Sequence, residues 1–384
     1  MRVATISRGR RAVVAAVLLL LLLLTGCARP WAIEVSGEGG SLGAITDAQW
    51  RAWAEAYPGE VVDDHALPLE RALWELGVTS IEALAVGNTS FSHIWADVAD
   101  DAWLRDDGRV VLNGNVQEAE LLIVASPPEA SLVTAHITDV APAVTRALGI
   151  AAPALATGSA LDAPTAEHVV FIFLDGLGYR RYLEGRPRAL TPFLDSLGEP
   201  HIARTFYPSV TRVSTAAFIT GAPPAANGVR DRSTRNTEVE TIFDVLTAQG
   251  RSSIAVEGDS LAFNLRNTET VLSGDRDGNG HSDDNTYANA LTVIRERMPD
   301  FLWVHFHGID DVGHTYGRDA VEADIKLAEV DGYVRDLVDA LPEDTLVIIG
   351  ADHGMHNVDE GERRGNHGTL QPDDMFVPLW TLMP

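Results

Sequence analysis

The chain has 384 residues, enough for one large α/β domain or for two or three smaller ones. Hydrophobic residues make up 46% and charged residues 22%, which excludes a disordered or fibrous chain. The 55 acidic residues outnumber the 29 basic ones and give a formal net charge of −26 at pH 7. A surface this negative disfavours DNA, RNA and anionic lipid as general partners.

The first 26 residues have the features of a targeting segment. Four arginines precede an unbroken apolar run from Ala12 to Leu24, which is too short for a membrane span and suits a signal-peptide core. The run leads into Leu-Thr-Gly-Cys, which resembles the bacterial lipobox. We therefore predict that residues 1–26 are a lipoprotein signal peptide and that Cys27 carries the lipid. The protein would then be exported and lipid-anchored to the membrane in a bacterial cell envelope; a plain secretory signal is the alternative.

Two regions follow the targeting segment. Residues 27–45 are rich in Gly and Ser and predict a tether. Residues 46–118 form a Trp-rich accessory region, in which Asp47 to Tyr57 and Leu67 to Leu76 have the helical spacing of apolar residues. These helices carry Trp50, Trp53 and Trp74. We interpret these tryptophans as core residues rather than as a platform for sugar or lipid.

Residues 119–165 carry two further apolar segments. Leu121 to Ala125 is a short run bounded by polar residues and prolines, which predicts a buried strand, and Val140 to Leu148 predicts a helix. The Ala/Pro-rich stretch 150–165 is typical of a linker.

Residues 166–384 alternate strand and helix patterns. Apolar runs predict strands at 169–174, 301–306 and 346–349, with helical stretches between them at 239–248 and 320–341. Continuous apolar strands separated by helices indicate a parallel sheet that is covered on both faces. We predict an α/β fold, a three-layer sandwich with a mostly parallel central sheet, whose ligand site lies beyond the carboxyl ends of the strands.

Side chains of the kind that bind divalent metals follow these strand ends. Carboxylates and neutral imidazoles are the groups that Zn²⁺ and similar ions take as ligands. One carboxylate and one imidazole lie four residues apart on a predicted tight turn at 310–314. The candidate ligands are Asp175, Asp310, His314, Asp352, His353 and His367.

A hydroxyl that could act as a nucleophile lies near a predicted helix start. Pro208 keeps the chain extended before the helical stretch 212–220, so Thr211 falls near the helix N-terminus, where free N–H groups favour an anion. Metal coordination is one way to activate such a hydroxyl. An N-cap role for Thr211 or Ser209 is the alternative.

Five segments together carry a resemblance to a known family. The segments are FLDG at 173–176, YPSVTRVSTAAFITG at 207–221, DDVGH at 310–314, ADHGM at 351–355 and NHG at 366–368. In these segments the chain resembles the alkaline phosphatase superfamily, and within it the type I phosphodiesterase / nucleotide pyrophosphatase group most. The resemblance implies an alkaline phosphatase-like fold and two divalent metal ions, commonly zinc. It also implies a metal-dependent hydrolase of small phosphate esters, either a phosphodiesterase or a phosphatase.

The resemblance further implies a role for each residue. One ion would be bound by Asp310, His314 and His367. The other would be bound by Asp175, Asp352 and His353, with the Thr211 oxygen also directed at it. Thr211 would attack phosphorus and form a phosphothreonine, which is then hydrolysed.

The chain departs from the family pattern beside the nucleophile. Diesterase members usually have an asparagine three residues after it, and here that residue is Ser214, a shorter donor to a phosphoryl oxygen. The aromatic residue that family members use to stack on a nucleobase is absent from this stretch, so the sequence does not predict that the substrate is a nucleotide. Arg212 is a candidate for binding a phosphate. The alternative is that its side chain is merely solvated.

The order of segments also departs from the family. Residues 138–150 resemble a segment that usually closes family chains, yet they precede the catalytic core. We therefore predict a circularly permuted order, in which residues 119–165 complete the sheet of a core at 166–384.

One loop has the oxygen spacing of a calcium site. Its candidate ligands are Asp275, Asp277, Asn279 and Asp283, with Gly280 at the sharp turn. Thr286 stands where a bidentate Glu is expected, so a turn that binds no ion is the alternative.

Two other functions compete with the phosphate-ester hydrolase. One is a catalytically silent surface lipoprotein that uses the fold as a binding module. The other is a hydrolase of a related ester, such as a phosphonate or a sulfate. The complete ligand set with its hydroxyl favours an enzyme over a binding module.

Overall fold

The structure, a computed structural model, describes residues 30–384 except 64, 88–92, 160, 277, 279 and 360. The predicted signal peptide and Cys27 lie outside these residues, so the lipid anchor stays a prediction. Within the described part of the chain, none of the helices combines the length and the apolar character that a membrane span requires.

The N-terminal unit contains two sheets and two α-helices. Its elements are β1 (Ala32–Gly37), β2 (Gly40–Thr46), α1 (Asp47–Ala56), β3 (Ala66–Pro68), α2 (Leu69–Glu75), β4 (Ala83–Val86), β5 (His93–Ile94), β6 (Ala102–Arg105), β7 (Arg109–Leu112), β8 (Asn115–Glu118) and β9 (Leu121–Ala125). One sheet has the strand order β2-β1-β9-β4-β5, and the other has the order β3-β6-β7-β8.

The predicted tether is wrong from residue 32 onward. β1 and β2 pair as an antiparallel hairpin, in which Ile33, Val35 and Ile45 are buried. The Gly and Ser residues that suggested a tether lie in the turn and along β2, while the alternating apolar residues of β1 face the core. Thr46 then starts α1 with a capping box to Gln49.

The tryptophans of this unit divide into two groups. Trp50 and Trp95 are buried, and their indole N–H groups donate to the Leu104 carbonyl and to the Glu70 carboxyl. Trp53 and Trp74 are half-buried and line a surface pocket of about 380 Å³. The core interpretation therefore describes Trp50 well and the other two only in part.

The C-terminal unit is built on an eight-stranded sheet. Its strands are β10 (Ala135–His136), β11 (His168–Leu174), β12 (His201–Arg204), β13 (Ser253–Glu257), β14 (Glu269–Leu272), β15 (Phe301–Phe306), β16 (Thr345–Gly350) and, after the short pair β17 (His356–Asn357) and β18 (Gly365–Asn366), β19 (Phe376–Leu382). The order is β10-β12-β19-β16-β11-β15-β13-β14, and only β19 runs antiparallel to its neighbours.

Ten α-helices accompany this sheet among the described residues. They are α3 (Val140–Ala147), α4 (Tyr179–Gly185), α5 (Pro192–Ser196), α6 (Thr211–Thr220), α7 (Pro224–Asn227), α8 (Ile242–Ala248), α9 (Asp283–Arg297), α10 (Gly308–Tyr316), α11 (Val321–Asp339) and α12 (Pro372–Met375). Every residue of β15 and β16 is buried, so both faces of these strands are covered, since successive side chains point to opposite faces. The predicted mostly parallel α/β sandwich is confirmed.

Only part of residues 119–165 enters the eight-stranded sheet, and the permuted order relative to the family stays a prediction. β9 pairs with β1 and β4 in the N-terminal unit, so its predicted place in the catalytic sheet is wrong. β10 does join the catalytic sheet beside β12, and α3 packs in the same core. A short apolar strand does not specify which sheet it enters, because its partners are distant in sequence.

The N-terminal unit supports the loop that carries His367. The buried Glu70 carboxyl accepts hydrogen bonds from the Leu370 N–H (2.7 Å) and from the Trp95 indole (2.9 Å). Ser80 and the Ile81 N–H both donate to the Leu370 carbonyl. Burial raises the pKa of Glu70 to about 8, so this carboxyl is neutral at pH 7.

We expect Glu70→Leu to destabilise the protein strongly. It leaves the Leu370 N–H and the Trp95 indole buried without an acceptor, and each unmade bond costs about 1–3 kcal/mol. Glu70→Gln is the matched control, because its amide oxygen keeps the acceptor and the native side chain is already neutral. Urea unfolding should show a loss of several kcal/mol for Leu and a small change for Gln. Equal stabilities of the two variants would contradict this account.

Candidate functional site

The site lies at the carboxyl ends of three neighbouring parallel strands. Asp175 directly follows β11, and Asp352 and His353 follow the end of β16. α10 begins just after β15 and carries Asp310 and His314. Because β16, β11 and β15 are adjacent in the sheet, their ends bring these side chains to one edge.

Asp310 and His314 lie on a helix rather than on the predicted tight turn. The i, i+4 spacing on α10 places them on one face, and His314 Nε2 lies 3.2 Å from Asp310 Oδ2. The Asp283 carboxylate accepts hydrogen bonds from the His307 and Gly308 N–H groups and so holds the start of this helix.

Two glycines allow the backbone to approach this closely. Gly176 has φ +80°, and a Cβ there would lie 3.0 Å from the Cα of Asp310. A Cβ on Gly354 would lie 1.8 Å from the Asp373 carbonyl oxygen, which excludes any side chain.

The predicted ligands form two adjacent groups. In the first, His353 Nε2 lies 3.1 Å from Asp352 Oδ2 and 3.5 Å from Asp175 Oδ1. In the second, Asp310 lies between His314 and His367, with 3.6 Å from its Oδ1 to His367 Nε2. The His353 and His367 rings stack with their centroids 3.7 Å apart, which joins the groups. The structure thus brings all six candidate ligands together.

Backbone carbonyls fix the tautomers of the three histidines. Nδ1 of His353 donates to the Gly354 carbonyl (2.9 Å), Nδ1 of His314 to that of Gly365 (2.8 Å), and Nδ1 of His367 to that of Ser209 (2.8 Å). Since a carbonyl only accepts, each Nδ1 carries a proton. The Nε2 atom of each ring then faces the carboxylates and is the atom that a metal would bind.

Three carboxylate oxygens test whether divalent ions fit here. Asp175 Oδ1, Asp310 Oδ1 and Asp352 Oδ2 are buried and have no hydrogen-bond partner among the described residues. A buried acceptor without a partner is costly, and three of them converge with imidazole lone pairs. The donor set and its unpartnered oxygens therefore fit divalent cations.

The pKa directions agree with a site built for positive charge. Burial and the neighbouring Asp175 raise the pKa of Asp352 to about 8, and burial and Asp310 raise that of Asp175 well above its ordinary value. Burial acts the same way on Asp310, but His367 and His314 hold its pKa below the ordinary value. Burial and His353 lower the pKa of His367, which keeps this ring neutral.

Thr211 and Ser209 have different positions at this site. Thr211 is the first residue of α6, and its Oγ lies 3.3 Å from His353 Nε2. The Ser209 hydroxyl is buried and donates to the Thr369 carbonyl (3.0 Å), away from the ligand groups. Only Thr211 therefore presents its hydroxyl to the site.

Ser214 is not in the predicted position for contacting a substrate. Its side chain is buried, and its hydroxyl lies 3.0 Å from the Asp352 carbonyl and 2.9 Å from the Thr205 hydroxyl. The fourth residue of α6 faces the sheet rather than the pocket, so Ser214 ties α6 to the end of β16.

Three arginines border a pocket of about 340 Å³ in front of Thr211. Arg212 donates to the Ala262 carbonyl at 3.0 Å and to the Arg232 carbonyl, so it is neither free nor merely solvated. Arg232 donates to the His367 carbonyl (2.6 Å), and Arg363 lies 3.2 Å from His314 Nε2. The sequence analysis missed Arg232 and Arg363 because they lie in loops without a pattern.

The Glu257, His305 and His307 side chains behind Asp175 were not predicted from the sequence. His305 Nε2 lies 3.1 Å from Asp175 Oδ2, and its Nδ1 lies 2.9 Å from Glu257 Oε2. The sequence His-Phe-His at the end of β15 could have indicated these histidines, since residues two apart along a strand point to the same face.

The proposed calcium loop is only partly described. Asp277 and Asn279 lie outside the described residues. Asp275 accepts hydrogen bonds from the Gly278 and Gly280 N–H groups. Asp283 accepts a hydrogen bond from the His307 N–H at the start of α10. Calcium binding stays an untested prediction.

The fold and the clustered ligands agree with the resemblance to the alkaline phosphatase superfamily that the motifs carry. Residues 268–375 match the family model of the type I phosphodiesterase / nucleotide pyrophosphatase, which confirms the resemblance seen in the motifs. The matched segment holds Asp310, His314, Asp352, His353 and His367, while Asp175 and Thr211 lie before it.

Individual relatives match over parts of the chain. GPI ethanolamine phosphate transferase 3 of Eremothecium gossypii is 41% identical over 81 residues, which are 21% of this chain and 7% of that protein. The catalytic subunit of GPI ethanolamine phosphate transferase 3 of Mus musculus is 25% identical over 251 residues, 56% of this chain and 21% of that protein. The chain thus spans at most about a fifth of the length of these relatives.

Among solved structures, phosphonoacetate hydrolase from Sinorhizobium meliloti in complex with phosphonoacetate is 18% identical. The match covers 55% of this chain and 62% of that chain, with a TM-score of 0.42.

The predicted location in a bacterial cell envelope is contradicted by the curated relatives. Those named above come from a mouse and from Eremothecium gossypii, which are eukaryotes. The prediction depended on a four-residue pattern after a short apolar run, and such a pattern carries little information about the cell type.

His356 provides a pH-dependent link between the two units. It is buried, its Nδ1 lies 2.9 Å from Asp374 and its Nε2 lies 3.3 Å from Asp100. Burial opposes protonation, but Asp374 and Asp100 raise the pKa of His356 to about 10. Asp374 in turn accepts from the Thr369 N–H and hydroxyl, close to His367.

We expect His356→Gln to reduce stability most at mildly acidic pH. A raised pKa stabilises the folded state fully below the unfolded value, about 6.5, and this contribution is lost as pH rises through about 10. The difference in unfolding free energy between wild type and variant should therefore be largest near pH 6 and shrink towards pH 10. A difference that stays constant over this range would show that His356 is not a protonated bridge.

Proposed function

We propose that this protein is a metal-dependent enzyme that cleaves small phosphate esters through a covalent intermediate on Thr211. The observation that carries the proposal is the position of the Thr211 hydroxyl. It lies 3.3 Å from His353 Nε2, beside the two groups of carboxylates and imidazoles described above. A binding module has no need of a hydroxyl at this position.

The ligand groups support two divalent ions, with zinc favoured by the mixed nitrogen and oxygen donors. One would be held by Asp310, His314 and His367, and the other by Asp175, Asp352 and His353. When bound, the ions supply the positive charge that stabilises the attacking and the leaving oxygens in an in-line displacement.

The Thr211 oxygen would attack phosphorus and give up its proton to solvent, while the bond from phosphorus to the substrate's ester oxygen breaks and the alcohol leaves after taking up a proton from solvent. Thr211 is the first residue of α6, which has no side-chain cap, so the N–H groups of its first turn are available to a phosphoryl oxygen. These dipoles are fixed before the reaction and stabilise charge that develops on the phosphoryl group.

The arginines around the pocket suit an anionic substrate. Arg232 and Arg363 line it on two sides, and Arg212 holds the loops at 232 and 262 in place. They provide local positive charge in a chain whose formal net charge is −26.

The second step decides between a hydrolase and a transferase. Water as the acceptor gives hydrolysis, which we favour for this chain. Transfer to an alcohol is the second candidate, because the relatives reported above are named GPI ethanolamine phosphate transferases. An acidic pocket of about 760 Å³ adjoins the site through Arg363, and the carboxylates of Asp97, Asp359 and Glu362 suit a phosphate ester with a cationic amine, while Asp100 in the same pocket pairs with His356.

The metal assignment is tested by His367→Ala. We expect the variant to lose one bound ion per chain, because one ligand of the Asp310 group is removed, and to lose most of its activity. Elemental analysis of purified wild type and variant measures the ions. His65→Ala is the control, since His65 is exposed and pairs with Asp106. An unchanged metal content in His367→Ala would reject the assignment.

The nucleophile is tested by Thr211→Ala. We expect kcat to fall by at least about two orders of magnitude, the scale for a group that acts in the transition state. Ser209→Ala is the matched control and should lose little, because its hydroxyl faces the Thr369 carbonyl.

The same experiment separates hydrolysis from transfer. The substrates are p-nitrophenyl phosphate, bis-p-nitrophenyl phosphate and a p-nitrophenyl ester of ethanolamine phosphate, with and without an added alcohol. Acid trapping during turnover of a substrate labelled in its phosphoryl group, followed by peptide mapping, should find the label on Thr211. A label on Ser209, or near-normal turnover by Thr211→Ala, would overturn the mechanism.

A further inference from the structure

One short turn, α12, joins the two chain segments that carry His353 and His367. Asp374 lies within this turn and is fully buried. Its backbone carbonyl accepts a hydrogen bond from the N–H of Gly354 (2.9 Å), the residue that directly follows His353. The backbone of Asp374 therefore holds the segment of the first ligand group.

The side chain of Asp374 holds the segment of the second ligand group. Its Oδ2 accepts hydrogen bonds from the N–H (3.0 Å) and the hydroxyl (2.7 Å) of Thr369, two residues after His367. Its Oδ1 lies 2.9 Å from His356 Nδ1, and the same ring reaches Asp100 of the N-terminal unit. Both carboxyl oxygens are thus engaged, and a rotation of the side chain would break all three contacts.

These contacts act on the two imidazoles through the backbone beside them. His353 Nδ1 donates to the carbonyl of Gly354, whose N–H is bound to Asp374. The stacked rings of His353 and His367, with centroids 3.7 Å apart, lie where the two ligand groups meet. A single residue that holds the backbone of both Gly354 and Thr369 therefore fixes how far apart the two histidines lie.

The preceding residue, Asp373, points its carboxyl group elsewhere. Arg318 donates to it, and Arg180 Nη1 lies 3.6 Å from its Oδ2; among the described residues, its polar side-chain contacts are with these two arginines. A Cβ on Gly178 would lie 2.7 Å from the Asp373 carbonyl oxygen, so the backbone of the turn is closely packed. Asp373 and Asp374 thus share a turn, but only the Asp374 side chain reaches a ligand segment.

We propose that Asp374 is a positioning residue that sets the separation of the two ion sites by holding the segments of His353 and His367 to one turn. The inference rests on the metal assignment of the proposed function and deepens it, because Asp374 lies outside both ligand groups. A displacement assisted by two ions requires them about 4 Å apart, so a change in this separation affects both metal binding and turnover.

The test compares Asp374→Asn with the matched control Asp373→Asn in the full chain. The asparagine amide nitrogen cannot accept a hydrogen bond, so Asp374→Asn loses a contact to Thr369 or to His356. We expect it to bind both zinc equivalents about 10- to 100-fold more weakly, the usual effect of changing a group that orients metal ligands. Asp373→Asn should keep the zinc affinity of wild type.

Zinc affinity is measured by titrating chelator-stripped protein with Zn²⁺ in competition with a coloured chelator. Urea unfolding of the zinc-free proteins gives their stability separately, because bound zinc would itself stabilise the folded state. Thr369→Val is a milder variant, since it removes only the hydroxyl contact of Asp374. We expect it to weaken the ion bound by the His367 group and to leave the other ion unchanged.

Three results would overturn the proposal. The first is Asp374→Asn or Thr369→Val with the zinc affinity of wild type. The second is an equal weakening in Asp374→Asn and Asp373→Asn, which would reflect a general loss of stability. The third is a wild type that binds no zinc, which would reject the metal assignment of the proposed function as well. If wild type binds two equivalents and the first or second result is found, only the role of Asp374 is rejected.

Discussion

The structure of the site depends on one electrostatic constraint: three aspartates, two buried and one half-buried, meet at one edge of the sheet. Asp175, Asp310 and Asp352 each keep one oxygen without a hydrogen-bond partner among the described residues. Parallel strands make this arrangement possible, because their carboxyl ends converge and the helix that follows each strand starts at the same edge. Imidazoles whose Nδ1 atoms donate to backbone carbonyls surround the carboxylates, so the cluster contains acceptors in excess of donors. Bound cations or protons resolve such an excess in a buried site.

The N-terminal unit contributes to this constraint from outside. It contacts the loop that carries His367 through the Leu370 carbonyl and N–H, and it reaches Asp374 through His356. Metal ligands in loops need such support, since a displacement of about 1 Å at a catalytic group is costly. The accessory region is therefore part of the site's architecture, and its own half-buried aromatic residues leave a separate pocket beside the core.

Sequence patterns predicted what is local and missed what depends on distant pairing. The strand at 301–306 has the predicted bounds, and helix 321–339 lies within its predicted range, because apolar periodicity is a local property. The hairpin at 32–46 and the sheet that receives Leu121–Ala125 were mispredicted, because composition does not specify a strand's partner. In the site, motif residues were found by their order along the chain. Arg232 and Arg363 were not, because a loop residue reveals its role only when the fold places it at the pocket.

Hydrolysis and transfer differ only after the Thr211 intermediate has formed. The ligand groups, the helix N-terminus and the arginines all act on the phosphoryl group, so they serve both reactions equally. The difference must lie in what the neighbouring surface admits as the acceptor. Here the acidic pocket around Asp97 and Glu362 adjoins the phosphate pocket through Arg363, which places cation-binding and anion-binding surfaces side by side. Such a pair of surfaces selects for a substrate that carries both charges. Under the proposed function, we expect it to favour a phosphate ester with an amine over a bare phosphate, whichever acceptor completes the reaction.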